Sequence, residues 1–362
     1  MPQISSQSFR EPGEAIIRVD DEEITDLYPF ISEVRVEMTR GAAAVCTLTF
    51  DTIRTENGAW TVQDSGIFAP WKKISIEAAF ASYTEEVMRG YIREIQVDCP
   101  QNMGAAKVVI TGQDESILLD RDQVRKVMST EENPVTDGDM ITEIAQDNGL
   151  ETQVETGLDN QSLNLDGTYI RLLADRAEAN GFEWFVREGT LHFHPPDLES
   201  EPQEAITVYA GPQTNCLRFS LQYEGHMPDQ VSVTRAADTG TSIEEESFSS
   251  NLALLGATAA NSEDAGLTPF VWRMEQPQGA TQEEARARAQ AKANENAWKI
   301  KVSGELDGAL YGHVLLNNAT VAVDGVGETH DGIYYVDEVK HLFTGTGYRQ
   351  EFRLLRNATG EG

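Results

Sequence analysis

Apolar and polar residues alternate through most of the first 118 positions of the chain. Cys46, Leu48 and Phe50 are separated by single threonines, and similar alternation runs through the segments 31–39, 74–78, 86–97 and 107–112. A period of two is typical of half-buried strands, and no helix longer than two turns is indicated before Leu118. The pattern predicts an antiparallel β-barrel or sandwich.

In the middle of the chain the hydrophobic period lengthens to that of a helix. The segments 139–148 and 167–180 each place their apolar residues on one helical face. Asp166 is the predicted N-cap of the second helix. Gly149 and Gly181 are the expected stops, because glycine adopts the left-handed conformation that ends many helices.

A hairpin is predicted directly after the second helix. Its strands are Phe182–Arg187 and Thr190–His194, and the dipeptide Glu188-Gly189 between them is a tight-turn signal. The two helices and this hairpin make a compact α/β module that ends at Pro195-Pro196.

The last third returns to alternating strands and contains one further helix. Thr281 and Glu284 form a capping box at the start of a helix predicted over Gln282–Trp298. Its narrow stripe of small residues, suited to close packing on a sheet, consists of Ala285, Ala289 and Ala293. The polar, acidic segment 236–250 before it is predicted to be a loop or excursion.

Two strand motifs recur in the same order near the two ends of the chain. Ile74–Ala78 resembles Val321–Gly325, and Tyr91–Ile95 resembles Tyr335–Val339. In both places another alternating strand follows. Two matches in one order indicate two related β domains on either side of the α/β module, and chance similarity between strands is the alternative.

The sequence is strongly acidic, with 60 acidic and 28 basic residues and a net charge of −32 that is spread along the whole chain. Tight binding to a phosphate backbone depends on Lys and Arg displacing counterions, so stable nucleic-acid binding is not expected. Passage of nucleic acid without adhesion is one explanation of the acidity. Solubility or adaptation to salt is the other.

Cysteine content and hydropathy exclude several classes of protein. Cys46, Cys99 and Cys216 are too few for a disulfide framework and too widely spaced for a zinc site, so reduced structural thiols are predicted. No apolar run reaches the roughly 18 residues of a membrane span, and the first residues show no secretory signal pattern. We therefore expect a protein made in a cytoplasm, with no membrane segment.

No residue pattern predicts catalysis, cofactor binding or a metal site. His192 and His194 alternate on one strand as a candidate metal pair, but no third ligand accompanies them, and a solvated strand face is favoured. Metallopeptidase, nucleophile-elbow and phosphate-loop motifs are missing. With 60 acidic residues, a carboxylate pair such as a glycosidase uses is uninformative. Catalytic, cofactor-binding and metal-ligating residues are each predicted to be none.

Several packing motifs together resemble those of one known family. In the α/β module these motifs are Met140–Ala145, Asn148–Leu150, Tyr169–Ala174, Ala177–Trp184 and Thr190–Phe193. In the flanks they are Gly90–Ile92, Ile110–Asp114, Leu118–Arg121, Gly332–Val336, Gly347–Arg349 and Arg353–Asn357. Their number and order, over residues 25–358, are similar to the late control protein D family, the baseplate hub proteins of contractile phage tails. That family is related to the hub part of the type VI secretion spike protein.

The resemblance implies a mainly β fold with an α+β insert, in which two tail-tube-like antiparallel β-barrels flank a small α/β module. The implied domains are a first barrel (1–122), an inserted module of two helices and a hairpin (123–200), and a second barrel (201–362) with one flanking helix (281–299). Because the chain stops at Gly362, without a needle-like continuation, the resemblance implies that the spike is a separate polypeptide.

The resemblance also implies a function and partners. A homotrimer with two barrels per chain would adapt the hexameric tail tube to the trimeric central spike, and its acidic charge would line part of the channel. The implied partners are the tail tube or tube initiator protein, the separate spike and other baseplate proteins, one of which would contact residues 236–278. The implied location is the virion tail baseplate or a phage-derived injection particle, assembled in the host cytoplasm. An enzyme is not expected; a tail-tip cell-wall hydrolase and a glycan-binding tail protein are the alternatives.

Overall fold

The computed structural model describes residues 13–101, 103–236, 243–261, 266–275 and 281–360. The first part of the chain folds into antiparallel strands, as the alternating pattern predicts. They are β1 (Glu14–Val19), β2 (Glu22–Glu23), β3 (Ile31–Thr39), β4 (Val45–Asp51), β5 (Lys73–Phe80), β6 (Tyr83–Asp98) and β7 (Lys107–Asp114).

The middle of the chain forms the predicted mixture of helices and short strands. Its elements are β8 (Val124–Ser129), β9 (Val135–Thr136), α1 (Asp137–Asp147), β10 (Glu151–Val154), β11 (Asp159–Asn160), β12 (Leu163–Gly167), α2 (Tyr169–Asn180), β13 (Glu183–Arg187) and β14 (Thr190–His194). Apolar residues of α1, α2, β13 and β14 pack into one hydrophobic cluster.

The ends of α2 show one confirmed and one wrong prediction. Gly181 adopts a left-handed conformation with φ of 69° and ends the helix, as expected. Thr168 rather than Asp166 occupies the N-cap position. The prediction of Asp166 is wrong because Asp166 and Gly167 belong to β12, where they pair with Arg125 and Val124 of β8.

The third part of the chain contains most of the remaining strands. Its elements are β15 (Gln203–Thr207), β16 (Cys216–Tyr223), β17 (Gln230–Ala236), β18 (Ile243–Ser249), β19 (Thr258–Ala259), β20 (Val271–Met274), α3 (Gln282–Asn296), β21 (Ile300–Asp307), α4 (Gly308–Tyr311), β22 (Thr320–Asp324), β23 (Gly332–Thr344), β24 (Gly347–Arg356) and β25 (Ala358–Thr359).

Helix α3 begins and packs as its sequence predicts. The hydroxyl of Thr281 accepts a hydrogen bond from the backbone N–H of Glu284 at 3.1 Å. Ala289 and Ala293 are buried and share a hydrophobic cluster with Val231 and Val233 of β17. Small side chains let the helix lie close to the strand, and this is why a helix with so few large apolar residues still docks there.

The segment 236–278 contains regular structure, so the prediction of a loop or excursion over 236–250 is wrong in part. Strands β18 and β20 lie on either side of β17 in a three-stranded sheet, β18 antiparallel and β20 parallel to it. A polar strand is stable here because its backbone is paired and one face is covered. Residues 237–242, 262–265 and 276–278 of the segment lie outside the described residues.

One sheet of 13 strands connects the beginning and the end of the chain. Its order is β16-β21-β24-β23-β3-β4-β7-β6-β5-β1-β2, and β22 and β15 branch from β23. The long strand β23 makes the branch. Its first residues pair with β22, and its residues Glu338–Thr344 pair with Glu33–Thr39 of β3. We call this second pairing the seam.

The strand pairing confirms the predicted internal repeat. The order β16-β21-β24-β23-β22 in the second half matches β3-β4-β7-β6-β5 in the first. The register matches as well, because Ile74 lies opposite Gly90 in one half and Val321 lies opposite Tyr334 in the other.

Two β-bulges occupy equivalent positions in the two halves. In the β6–β7 pair the register shifts between Ile92 and Glu94, and in the β23–β24 pair it shifts between Val336 and Glu338. These are the residues that the sequence motifs align. A second shift follows Ile31 in the β3–β4 pair and Cys216 in the β16–β21 pair. Bulges are specific structural features, so their coincidence indicates duplication and not chance similarity between strands.

The protein is mainly β with helices inserted, but the barrels are not confirmed. No pairing among the described strands closes either half into a barrel. The edge strand β3 of the first half pairs instead with β23 of the second half, so the two halves form one continuous sheet. The division at residues 122 and 200 stays a prediction. None of the helices in the described part of the chain has the length and apolar character needed to cross a membrane.

Candidate functional site

The histidine pair on β14 does not form a metal site. The ring of His192 stacks on Phe185 with 4.4 Å between centroids, and Nδ1 of His194 lies 2.7 Å from the carbonyl oxygen of Pro195. Desolvation, followed by the positive charge of neighbouring His194 and Arg187, lowers the pKa of His192 to about 4. The strand face is therefore half-buried rather than solvated. Across the described residues, no three metal-type side chains come together.

The cysteines differ in their environments. Cys46 and Cys216 are buried thiols in strands, whereas Cys99, which follows β6, is exposed. Burial raises the pKa of Cys46 to about 12 and that of Cys216 to about 11. A thiol with so high a pKa is a poor nucleophile, so a structural role fits both buried residues.

A buried polar cluster joins the three parts of the chain. Glu183, at the start of β13, is only 3% exposed. Its Oε2 accepts hydrogen bonds from the hydroxyl of Tyr335 and from Asn318 Nδ2, the latter at 2.7 Å. Its Oε1 lies 3.6 Å from Nη1 of Arg40. Desolvation raises the pKa of Glu183, and the charge of Arg40 opposes that shift.

Arg40 connects this cluster to helix α3. Its guanidinium contacts Glu295 at 3.0 Å and Asp337 at 3.1 Å. Arg40, Glu183 and Glu295 border a groove of about 630 Å³, whose wall also includes Leu252 and Trp272. Glu183, Glu295 and Asp337 each contact Arg40, so the cluster ties the end of β3 to β13, α3 and β23 and presents no unengaged acid–base pair.

A second buried ion pair stabilises the α/β module. Arg176 of α2 donates to both carboxylate oxygens of Asp137, at 2.8 and 3.2 Å. Asn160 and Asn180 also donate to this carboxylate, each at 2.7 Å. The carboxylate is thus surrounded by donors inside the module, which indicates a structural role.

The seam itself is apolar on one face and polar on the other. On the core side His341 lies opposite Val36, and Phe343 lies opposite Val34; all four are at most 5% exposed. On the other side Lys340 contacts Glu37 at 3.5 Å. The two halves are therefore joined by backbone pairing and by side-chain packing at once.

The outermost strands of the two repeated units expose edges of the sheet, unlike the two strands that pair in the seam. On one side of the molecule Glu94–Asp98 of β6 pair with β7, and β5 reaches only as far as Tyr91. On the other, β16 is the last strand of the described sheet. We call these the β6 edge (Glu94–Asp98) and the β16 edge (Arg218–Gln222). Val97 on the β6 edge is 46% exposed.

The solvent-facing side of strands β16, β21, β24, β23, β3, β4, β7 and β6 carries charges of both signs. Its acidic residues are Glu33, Glu37, Asp51, Glu94, Asp98, Glu305, Asp307, Glu338 and Glu351. Its basic residues are Arg35, Lys107, Arg218, Lys301, Lys340, Arg349 and Arg353. Several are paired, such as Arg353 with Glu338 and Arg349 with Asp307. This polar face is close to neutral, so most of the acidic excess lies elsewhere on the chain.

The two buried polar clusters and the seam were not predicted from the sequence. One signal for Glu183 was present, since a single acid lies in the otherwise apolar run of 182–186. Arg40 carries no comparable signal, because a charged residue at the end of a strand is common. The partner of β3 lies about 300 positions away, and alternation alone does not specify which strands pair.

The fold and surfaces define a mainly β protein with a duplicated strand unit and an α/β insert. Residues 12–344 match the family model described as the Alg8 N-terminal domain, and the chain belongs to this family. A comparison with curated proteins finds no match.

Solved structures of tail proteins share this fold. The 43 kDa tail protein of prophage MuSo2 from Shewanella oneidensis aligns with a TM-score of 0.66 at 12% identity, over 95% of this chain and 98% of its own. A tail protein from Neisseria meningitidis aligns with a TM-score of 0.63 at 12% identity, over 94% and 96% of the two chains. The resemblance to tail hub proteins inferred from packing motifs is thereby confirmed for the fold.

A type VI secretion component is also similar in fold. The E. coli c3393 protein, described as structurally similar to bacteriophage T4 tail proteins, aligns with a TM-score of 0.55 at 10% identity, over 95% of this chain and 77% of its own.

Proposed function

We propose that the protein is the structural hub of a contractile tail, either of a phage or of a phage-derived injection particle. In this role a homotrimer joins the hexameric tail tube to the trimeric spike and contacts other baseplate proteins. It acts at the tail baseplate after assembly in the host cytoplasm.

The duplicated strand unit is the observation that carries this proposal. Each chain presents the same four-strand order twice, as β3-β4-β7-β6 and as β16-β21-β24-β23. Three chains thus present six similar units, which match a sixfold ring on one side while keeping threefold symmetry on the other. The fold shared with tail proteins supports the same role.

The mass of the assembly tests the proposal directly. Light scattering on the purified chain is expected to give three times the chain mass of 40.0 kDa, and electron microscopy is expected to show a threefold ring. Addition of the tube and spike subunits of the same particle should yield a larger complex. A monomeric mass at every concentration would overturn the trimeric hub.

We further propose that the protein has no catalytic activity. The buried carboxylates of Glu183 and Asp137 are held by arginines and amides, a geometry that supports structural roles. Purified protein is expected to leave cell walls intact in a muralytic assay, and wall hydrolysis would identify a tail-tip hydrolase instead. Retention on isolated wall polymers would favour a glycan-binding tail protein.

A further inference from the structure

We propose that strand β20 and the groove beside it bind an extended, basic segment of another tail protein. The segment would add to the three-stranded sheet as a fourth strand next to β20 and would place a lysine or arginine side chain in the groove. This inference rests on the proposed function only for the statement that the partner is another tail protein. It names the surface and the chemistry of one contact with the other baseplate proteins.

The two outer strands of the three-stranded sheet differ in their side chains. Strand β18 carries Glu245 and Glu246, and charged residues protect an edge strand against pairing with other chains. In β20, Val271 and Trp272 are 39% and 40% exposed, and Phe270 directly before the strand is 42% exposed. An exposed apolar edge of this kind is a place where a strand of another chain adds.

The free edge of β20 has backbone groups that can hold a further strand. The N–H of Gln230 donates to the carbonyl oxygen of Phe270 at 3.2 Å. Because backbone groups alternate in direction along a strand, Phe270 and Trp272 face β17, whereas the N–H and C=O groups of Val271 and Arg273 face away from it. Among the described strands, none pairs with β20 on that side.

The groove of about 630 Å³ lies where side chains of an added strand would point. Val231 and Val233, which pack against α3, lie opposite Trp272 and Met274 in the parallel pair of β17 and β20. Trp272 and Met274 therefore point to the α3 side of the sheet, and both line the groove. Since successive side chains of a strand alternate between the two faces, every second side chain of the segment would enter the groove.

The carboxylates around Arg40 give one side of the groove an excess of negative charge. Three carboxylates, those of Glu183, Glu295 and Asp337, contact this single guanidinium. Glu183 is 3% exposed and lines the groove, and its Oε1 accepts no hydrogen bond from a described residue. A buried carboxylate oxygen without a donor is costly, and an ammonium or guanidinium group of the segment would supply that donor.

The apolar part of the groove suits the stem of the same basic side chain. The ring of Trp272 already contacts an ammonium group, because Nζ of Lys292 lies 5.3 Å from its centroid. Leu252 and Phe182 add further apolar surface to the wall. Lysine and arginine pack an apolar stem against such a surface and keep the charged end among polar groups, so an acidic or a wholly apolar segment fits less well.

Selection from a display library of random dodecapeptides tests the proposal. The library is selected on the purified chain, and peptides that also bind the Trp272→Ala variant are removed. We expect the enriched peptides to carry lysine or arginine within a run of alternating β-branched residues. Enrichment of acidic peptides, or of peptides whose apolar residues have helical spacing, would overturn the proposal, and so would the lack of any enrichment over Trp272→Ala.

Variants of the selected peptide and of α3 test the role of charge, with fluorescence anisotropy as the measurement. Norleucine in place of the basic residue removes the charged group and should weaken binding about tenfold. Glu295→Gln should weaken binding of the basic peptide and leave that of the norleucine peptide unchanged. Glu283→Gln, on the same helix outside the groove, is the matched control. Equal binding of the two peptides would overturn recognition of a cation.

Val271→Pro tests the addition of a strand. Proline removes the N–H that faces the free edge, and it is tolerated as the first residue of a strand. Binding should therefore fall about tenfold, while thermal unfolding of the chain stays unchanged. Val271→Thr keeps the N–H and is the matched control. Equal binding by the two variants would overturn pairing with the β20 edge.

These outcomes are distinguishable from those that test the proposed function. Failed selection together with a trimeric mass would overturn this inference and leave the trimeric hub standing. Successful selection together with a monomeric mass would overturn the trimeric hub and leave the groove as a peptide-binding site. A lower assembly mass of Trp272→Ala would show that a second copy of this chain occupies the groove and would overturn its assignment to another tail protein.

Discussion

The two β halves share strand order and bulges but fill their interiors with different side chains. In the first half Leu48 lies opposite Ile110, and at the equivalent place in the second half Gly304 lies opposite Phe352. A Cβ on Gly304 would overlap the Phe352 ring. One position of the second-half pair thus carries no side chain, whereas both positions of the first-half pair carry branched aliphatic side chains.

The next pair on this face differs in the opposite direction, because here the glycine lies in the first half. Cys46 lies opposite Gly112 in the first half, and Val302 lies opposite Leu354 in the second. A Cβ on Gly112 would approach Sγ of Cys46 to 2.6 Å. The comparison teaches that backbone register is the shared property of the halves, whereas side-chain packing has been adjusted pair by pair.

The largest difference between the halves is at the residue directly after β3. There Arg40 anchors the module and α3, while the equivalent position after β16 is Gly225. Replacing Arg40 with Met should lower the free energy of unfolding by about 3–5 kcal/mol, because Glu183 is left buried without its cation. Denaturant unfolding measures this loss.

Two further variants distinguish the cost of leaving the Glu183 carboxylate without a cation from the cost of lost packing. In Arg40→Met/Glu183→Gln much of the stability should return, since a neutral amide can still accept from Tyr335 and Asn318. The exposed pair of Arg35 with Glu33 is the control, and Arg35→Met should cost at most about 1 kcal/mol. An equal loss in both arginine variants would contradict the anchoring role.

Placing a side chain of the first half at the equivalent position in the second half should have the next largest effect on the free energy of unfolding. Gly304→Leu places a first-half residue in the second half and should cost about 3 kcal/mol, because it overlaps Phe352 and the backbone oxygen of Arg218. Adding Phe352→Ile should recover about 1–2 kcal/mol through coupling between contacting sites. Ser303→Leu, at an exposed neighbouring position, is the control. Additive losses from Gly304→Leu and Phe352→Ile would show that these two contacting positions are not coupled.

Acid should weaken the seam through His341. Burial lowers the pKa of His341 to about 3, while an unfolded histidine binds a proton near pH 6.5. The stability that the neutral side chain contributes is therefore complete above pH 6.5 and is lost as the pH falls toward 3. At pH 5 the loss should be about 2 kcal/mol.

The comparison of His341→Val with the unmodified protein isolates this effect. Valine is the residue at the equivalent position, Val97, and the variant should lose less stability between pH 7 and pH 5. The difference between the two proteins is the readout, because burial raises the pKa of Asp114 to about 6 and so stabilises the folded state as the pH falls. Identical pH profiles would show that His341 does not titrate with unfolding.

The smallest effect on folding is expected at the β6 edge. Val97→Ser should change the free energy of unfolding of one chain by less than about 0.5 kcal/mol, because the side chain is half exposed. Denaturant unfolding of the variant and of the unmodified protein measures this change. A loss as large as that of Gly304→Leu would contradict the exposure of this edge.

Much of the local structure was predictable from neighbouring residues. Thr281 with Glu284, and Gly181 after its helix, act within one turn, so their signals are complete in the sequence. The prediction of Asp166 as the N-cap was wrong because an N-cap preference is weak compared with strand pairing. Strand β8 pairs with the residues that were expected to start the helix.

The buried clusters were less accessible to sequence reasoning. Glu183 becomes a buried carboxylate only when Tyr335, Asn318 and Arg40 converge on it from more than 130 positions away. The acidity of the chain was also open to two explanations, and the folded chain shows that the acidic excess is not concentrated on the polar face.

The sequence by itself determined the strand and helix types, the α/β insert and the duplication, because hydrophobic period, capping and repeated motifs are properties of short segments. The tertiary structure alone decided that β23 pairs with β3, that the described strands of both halves share one sheet, and that two equivalent edges lie at its ends. Strand pairing is a choice among distant backbones with similar alternation, and packing and burial settle that choice only when the whole chain is folded.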